Sequence, residues 1–484
     1  MTGSQILQDK ITLYAERSGS KEAIIEAETG RLLTYGELFW AVNALRRKWG
    51  ENPQTILLEL PGGIVNSLIW LAALTGGHRL VPVSAYLTEY EITQIVKKHQ
   101  PDIIISNKNL AETEGIIQNP PQANTFSLPA PHEGHVFLST SGSTGTPKGV
   151  LLSAKQIVLT ADNIRKSHRI TRQDRGLTPL PFYHVNAPVV SLMTSIICGS
   201  TLIVAPKYST NHFWEWVEKY NPSWISLVPT MIAMLLNTDR PNFLDHAGLR
   251  FIRTASEPLP AENLKRFEAK FKIPLIETYG LSEAASTVAA NPVPPGKHKP
   301  GSVGLPLGVE VCIFRPGVDE TITAGKTGEV CVKGANIIKH YSENASPGSF
   351  FQGWLRTGDL GFIDNDGYIH LTGRIKDIII RGGENIAPRE IEEVLLAHPS
   401  VREVTVVGLP DPIYGEQVAA FVVLQKAPDG KVRDEIRSYA VQKLIPHKLP
   451  SEIFILDDLP RNKTGKVDKI ALKEMAAGMI RQDE

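Results

Sequence analysis

Between two apolar runs, Val136-Phe137-Leu138 and Val150-Leu151-Leu152, the chain reads Ser139-Thr140-Ser141-Gly142-Ser143-Thr144-Gly145-Thr146-Pro147-Lys148-Gly149. The apolar flanks predict strands, so the hydroxyls, glycines and lysine between them are held in a tight loop at the strand ends. Glycine lets such a loop adopt positive φ and turn its amides toward a ligand, and hydroxyls and a lysine add donors. A phosphate chain is the natural guest. A flexible Gly/Ser linker fits less well, because linkers are not bounded on both sides by strands. The loop is not of the Walker type either: counted from Gly142, Pro147 stands at the second glycine's place, and Gly149 follows Lys148 where Ser or Thr belongs.

A chain of 484 residues is too long for one core and predicts about two to four domains. Its 51 basic residues balance 51 acidic ones, which leaves no electrostatic case for nucleic acid or an anionic membrane surface. Cys198, Cys312 and Cys331 form no CxxC and no cluster with histidine, so neither a disulfide framework nor a zinc site is signalled and a reducing cytoplasm is expected. Met1-Thr2-Gly3-Ser4-Gln5 lacks a basic region followed by an apolar core, and no export signal is expected. The longest apolar stretch, Ala187 to Ala205, is interrupted by Pro188, Ser191, Gly199 and other small or polar residues. It predicts a buried helix ending near Gly199 and then a strand, not a membrane span.

Up to residue 130, amphipathic helices such as Thr34–Trp49 and Glu89–Lys97 alternate with short apolar strands such as Thr55–Leu60 and Ile103–Ser106. This rhythm predicts parallel sheets covered by helices, an α/β fold, and it resumes beyond the loop as far as Phe271. From Gly301 to Gly373 short strands and Gly-rich turns take over, predicting a small β subdomain at about 301–373. After that the alternation returns, with a helix at Pro388–Ala397, strands at Val401–Gly408 and Val418–Leu424, a helix at Val432–Lys443 and a basic tail. The expected organisation is a large N-terminal domain, 1–375, and a smaller hinged C-terminal α+β domain, 376–484.

Several motifs then line up in order: the Ser139–Val150 loop, Leu180-Pro181-Phe182-Tyr183-His184-Val185, Ser256-Glu257-Pro258-Leu259-Pro260, Tyr279-Gly280-Leu281-Ser282-Glu283, Gly328-Glu329-Val330, Trp354-Leu355-Arg356-Thr357-Gly358-Asp359, Gly373-Arg374-Ile375-Lys376-Asp377, Arg381-Gly382-Gly383-Glu384-Asn385 and Thr464-Gly465-Lys466. In this order the chain resembles the adenylate-forming superfamily of acyl-CoA synthetases, carrier-protein adenylation domains and firefly-type luciferases. The resemblance implies two half reactions, in which a carboxylate attacks the α-phosphate of Mg-ATP to give acyl-AMP and pyrophosphate, and a thiol then displaces AMP.

By that resemblance Thr140, Ser141, Gly142, Ser143, Thr144 and Lys148 wrap the β- and γ-phosphates. Ser256, Glu257 and Pro258 flank the adenine, Tyr279 stacks on it, Gly280 belongs to the same nucleotide site, and Ser282 keeps a hydroxyl for a phosphate. Glu283 is the expected Mg²⁺ ligand. Asp359 accepts from the ribose hydroxyls and Arg374 reaches the same nucleotide. Asn385 stands where some relatives carry a basic residue. Lys466 bridges the attacking carboxylate and the α-phosphate, Lys376 is the hinge, and Arg381, Gly382 and Gly383 line the thiol tunnel.

His184 matches the aromatic beside the substrate carboxylate and is a gate rather than a base, since a carboxylate is already ionised at neutral pH. Val185 and Asn186 stand where amino-acid-activating domains usually carry an aspartate, which disfavours an α-amino acid. With Val228, Thr230, Ala284 and Ala285 they make a small, mostly apolar acyl pocket suited to an aliphatic or aromatic acid, and Arg253 keeps a dicarboxylic acid open. The expected enzyme is an AMP-forming acid–CoA ligase of organic or fatty acid metabolism, a monomer or homodimer using ATP, CoA and Mg²⁺. Loading of a carrier-protein phosphopantetheine and a non-catalytic nucleotide-binding relative are the alternatives.

Overall fold

The computed structural model describes residues 1–118, 132–140, 148–245, 248–257, 259–343, 348–425, 430–461 and 466–480. The fold is mixed α/β, and the chain divides into two compact units: residues 1–258, 266–311 and 332–355 in the larger, and 259–265, 312–331 and 356–484 in the smaller.

Two sheets organise the larger unit. In one, six parallel strands run in the order Leu275–Leu281, Phe251–Thr254, Trp224–Leu227, Arg175–Thr178, Thr201–Val204, Glu22–Glu26, with antiparallel strands at both edges. In the other, Ile103–Ser106, Thr55–Glu59, Arg79–Pro82 and His135–Thr140 are parallel, and Lys148–Ser153 closes the edge antiparallel. Parallel strands need helical crossovers, as the alternation in the sequence predicts. The helix Ile64–Thr75 packs on strands of both sheets, and all 12 of its residues are buried. It has no polar face because both of its sides meet a sheet.

Helix starts are chemically marked. Thr34, Thr88 and Ser153 accept from the third backbone amide of Tyr35–Trp49, Glu89–His99 and Ala154–Ser167, and Glu37, Glu91 and Gln156 reach back in reciprocal capping boxes. The stretch after His184 becomes a π-helix, Asn186–Met193, then an α-helical turn, Thr194–Cys198, ended by Gly199 at φ 75° and followed by the strand Thr201–Val204. The helix-then-strand expectation holds, and the π-helical pitch is the part that the sequence did not show. A further helix, Leu110–Gln118, follows the strand Ile103–Ser106, and residues 119–131 lie outside the described residues.

In the smaller unit Val401–Asp411 pairs antiparallel with Gly415–Leu424, and Glu452–Leu456 joins the latter in parallel. Pro388–Leu396 and Val432–Val441 contribute Ile391, Leu395, Val432 and Ile436 to one apolar cluster. The basic tail is not structureless: Lys469–Ile480 is a helix whose Leu472 and Ala476 are fully buried. Between Gly301 and Gly373 the described residues form strands and turns without a helix. Among the described residues no helix is long and apolar enough to cross a membrane.

Candidate active site

The strands that flank the phosphate-loop stretch, His135–Thr140 and Lys148–Ser153, pair antiparallel in register up to Thr140 opposite Lys148. Ser141, Gly142, Ser143 and Thr144 lie outside the described residues, as do the side chain of Thr140 and all of Pro258. Lys148 is half-buried, and its Nζ sits 4.6 Å from the ring centroid of Tyr341.

Tyr341 links the loop to the expected metal ligand. Its hydroxyl donates to Glu283 Oε1 at 2.8 Å. Burial, and then the neighbouring Glu283 carboxylate, raise its phenol far above the ordinary value, so it stays a donor. Glu283 lies in a single 3₁₀ turn, Ser282–Ala284, after the strand Leu275–Leu281 that carries Tyr279 and Gly280. Tyr279 is buried at 7% exposure, and the pairing with Ser286–Ala290 shifts register between Tyr279 and Gly280.

The acyl-side residues meet at the end of the nine-stranded sheet. Arg253, on the strand Phe251–Thr254, is fully buried. Its Nη1 donates to Asn186 Oδ1 at 3.1 Å and Ser226 Oγ at 3.2 Å, and its Nη2 donates to Thr278 Oγ1 at 2.6 Å. Nε is buried and has no acceptor among the described residues. Burial lowers the guanidinium's pKa to about 9. Because a guanidinium only donates, Asn186 must turn its carbonyl to Arg253, and its amide nitrogen then donates to Ser256 Oγ at 3.3 Å. Ser256 is exposed and holds φ 82°, a left-handed conformation that a serine rarely adopts. Thr230 Oγ1 donates to Glu257 Oε2 at 3.3 Å. His184 lies against Tyr183 with ring centroids 4.3 Å apart. Val185 and Val228 are half-buried against the main core. Ala284 and Ala285 have 0% exposure, so they can shape a pocket from behind but present no surface of their own in this state.

In the smaller unit, Asp359 and Arg374 face each other on paired strands, with Arg374 Nε 2.8 Å from Asp359 Oδ1. Two of the sequence motifs interlock to build that turn. Arg356 pairs with Glu329 at 2.7 Å, Glu329 Oε1 accepts from the Gly358 amide at 3.3 Å, and Thr357 Oγ1 donates to the Val330 carbonyl at 2.6 Å. Gly382 and Gly383 form the two-residue turn of a hairpin between Ile379–Arg381 and Glu384–Ile386, with φ 60° and 85°. That is the geometry for which Gly-Gly is chosen. Arg381 Nη1 donates to the His447 carbonyl at 2.9 Å, and Asn385 is exposed on the second strand. Lys376 is exposed in the 3₁₀ turn Ile375–Asp377, and Asp377 pairs with Lys469 at 2.8 Å. Lys466 is exposed just before the helix Lys469–Ile480; Thr464 and Gly465 lie outside the described residues.

Sequence reasoning named most of these groups but missed Tyr341, since a tyrosine in Lys339-His340-Tyr341-Ser342 carries no local mark of its partners. A cleft of about 640 Å³ beside Tyr14, Arg165 and Arg172 contains none of the expected site residues.

Comparison with known proteins agrees with this layout. The AMP-binding enzyme model matches residues 12–342, and the AMP-binding enzyme C-terminal domain model matches 390–466. A sulfoacetate–CoA ligase of Cupriavidus necator is 34% identical over 96% of this chain and 96% of its own length. An oxalate–CoA ligase of Arabidopsis thaliana is 36% identical over 84% of this chain and 78% of its own. Among solved structures, ATP-bound MatB from Rhodopseudomonas palustris superposes with a TM-score of 0.87 at 25% identity, covering 98% of this chain and 99% of that one. A chain matched by these models over most of its length, with relatives this similar end to end, belongs to the AMP-binding enzyme family.

Proposed function

We propose the following chemistry for this chain, an ATP-dependent carboxylic acid–CoA ligase of the AMP-forming type: the acid it activates is small and carries a second anionic group. In the first half reaction a carboxylate oxygen bonds to the α-phosphorus of ATP as the bond to the bridging oxygen breaks, and pyrophosphate leaves. In the second, the thiol sulfur of CoA bonds to the acyl carbon as AMP leaves, and the thiol proton is released. Bringing anions together calls for fixed cations and donors more than for a protein nucleophile.

In this reading Lys148 meets the β- and γ-phosphates. Glu283 fits Mg²⁺ held by one carboxylate and the substrate's phosphate oxygens, an ion that neutralises phosphate charge when bound. Tyr279 packs on the adenine, Asp359 and Arg374 hold the ribose, and Ser256 and Glu257 border the base. Lys466 serves adenylation, Lys376 is the hinge between an N-terminal domain, 1–375, and a mobile C-terminal domain, 376–484, and the Arg381-Gly382-Gly383 hairpin serves thioester formation. His184 gates the acid. The acceptor is free CoA and the setting is cytoplasmic.

One observation carries the substrate class. The fully buried Arg253 guanidinium is hydrogen-bonded to three neutral side chains, Asn186, Ser226 and Thr278. Among the described residues it has no counter-ion, and a buried cation without one costs several kcal/mol; the Nδ2 donor of Asn186 is directed onward to exposed Ser256. A second carboxylate or sulfonate at that edge completes the pair. Sulfoacetate and oxalate, the acids in the names of two relatives, are both dianionic.

The test compares a three-carbon diacid and a sulfonated acetate with monoacids of the same length. Wild-type kcat/KM is expected to favour the dianions by about 100-fold or more, and Arg253→Gln to reduce that ratio about tenfold while ATP KM stays put. A preference for medium-chain or aromatic monoacids would refute the assignment.

A further inference from the structure

The segment Asn336–Glu343 is fastened at one end to the turn that carries Glu283 and at the other to the strand that carries Lys148. Asn336 Nδ2 donates to the Ala284 carbonyl at 3.3 Å and to Thr160 Oγ1 at 3.0 Å, and the Ile338 amide donates to the Glu283 carbonyl at 2.9 Å. Further on, the Ser342 amide donates to the Gly149 carbonyl at 2.9 Å, and the Gly149 amide to the Glu343 carbonyl at 3.2 Å. The approach at Gly149 is close: a Cβ there would lie 2.6 Å from Ser342 Oγ and 2.9 Å from the Phe137 ring. The backbone therefore fixes Tyr341, 9% exposed, between the lysine and the carboxylate.

We propose that Tyr341 is a positioning residue that couples the phosphate lysine to the cation-binding carboxylate. Its ring seats the Lys148 ammonium, and its hydroxyl pins Glu283 Oε1 so that Oε2 is presented to a divalent cation. The inference rests on the roles given above to Lys148 and Glu283. The two contacts come from different parts of one side chain, the ring face at 4.6 Å and the hydroxyl at 2.8 Å, and can be removed separately. A tyrosine kept only to fill the core would need the ring but not the hydroxyl. One kept only to satisfy Glu283 would not need its face under a lysine.

Tyr341→Phe keeps the ring and removes the donor. The Glu283 carboxylate loses its tether, and the cation concentration for half-maximal effect is expected to rise about tenfold, the worth of a hydrogen bond to a charged group. At saturating cation, KM for ATP should move by less than about twofold. Tyr341→Leu removes both contacts and should raise ATP KM about three- to tenfold as well. Acid-dependent pyrophosphate exchange, titrated against Mg²⁺ and against ATP, reads both constants. Mn²⁺ binding, followed by electron paramagnetic resonance with a non-hydrolysable ATP analogue, reads the first without turnover. If Tyr341→Leu does not fold, Lys148→Met with Tyr341 intact supplies the ATP arm, and Tyr341→Phe alone decides the cation arm. A Phe variant with an unchanged Mn²⁺ curve overturns the proposal, as does one whose ATP and cation constants shift equally. Absence of both exchange and Mn²⁺–nucleotide binding in the wild-type protein instead overturns the reading of Lys148 and Glu283 beneath it.

Discussion

Lys148 and Lys466 are both assigned to phosphate oxygens, yet the chain holds them in opposite ways. Lys148 is half-buried on a sheet edge, with Tyr341 under its ammonium and a strap of backbone hydrogen-bonded to the next residue. Lys466 is exposed, directly before Val467, which bridges to Arg461 ahead of the last helix. The glycines tell the same story, for a Cβ at Gly149 would collide with Ser342 and Phe137, whereas one at Gly383 would meet nothing within 4 Å. A clamp that must not move is cross-braced by tight packing. In the proposed reading Lys466 serves one of two half reactions, and an exposed position suits a group that must then withdraw.

The sharpest way to break this contrast is Lys466→Ala. It is expected to cut acid-dependent pyrophosphate exchange by about 100-fold or more, while supplied acyl-adenylate is still converted to thioester. Equal loss in both assays would make Lys466 a structural residue. Next in size, Lys376→Pro should slow thioester formation about tenfold or more and leave exchange near wild type, because a fixed φ stiffens the turn on which the second step depends. Unchanged overall turnover would remove the hinge.

Smaller effects test the packing side. Gly149→Ala should destabilise the protein by about 1–3 kcal/mol and raise ATP KM, since the strap or the Phe137 ring must give way. Gly383→Ala should cost only about 1 kcal/mol, from its positive φ, and leave ATP KM unchanged. Chemical denaturation and steady-state kinetics on the pair decide whether crowding distinguishes the two sites.

Two histidines add a pH signature to the larger unit. His168 and His78 have 0% exposure, and burial, helped by nearby arginines, depresses their pKa values to about 3 and about 4 from the usual 6.5. Below pH 6.5 the unfolded chain binds protons that the folded one refuses, so stability should fall as pH drops from 6.5 toward 4. The slope approaches about 1.4 kcal/mol per pH unit for each histidine. His168→Phe should flatten the denaturation midpoint against pH, and an unchanged profile would mean that the ring is solvated.

Much of the fold was legible because its signals are local. Thr34 and Thr88 mark helix starts by side-chain chemistry, and the apolar run Ile103–Ser106 is a strand to the residue. The motifs named Lys148, Glu283, Asp359 and Arg374 for the same reason. What the sequence withheld depends on distant contacts. Glu329 reads as one carboxylate among many until it accepts from Arg356 and Gly358. Arg253 is marked in the sequence only as the residue that keeps a dicarboxylic acid open, and its burial and neutral partners depend on the folded neighbours. The Gly382-Gly383 pair suits the turn of a hairpin, as the positive φ at both glycines shows.

The central claim is that this chain adenylates a small dianionic acid and hands it to CoA. Exchange of labelled pyrophosphate into ATP, over a panel of short, medium-chain, aromatic, dicarboxylic and sulfonated acids and followed by addition of CoA, tests it most directly. The predicted result is exchange that depends on a short diacid or sulfonated acid, with thioester appearing only once CoA is added. Exchange with no acid in the panel, or acyl-adenylate that CoA leaves unconsumed, would contradict the account.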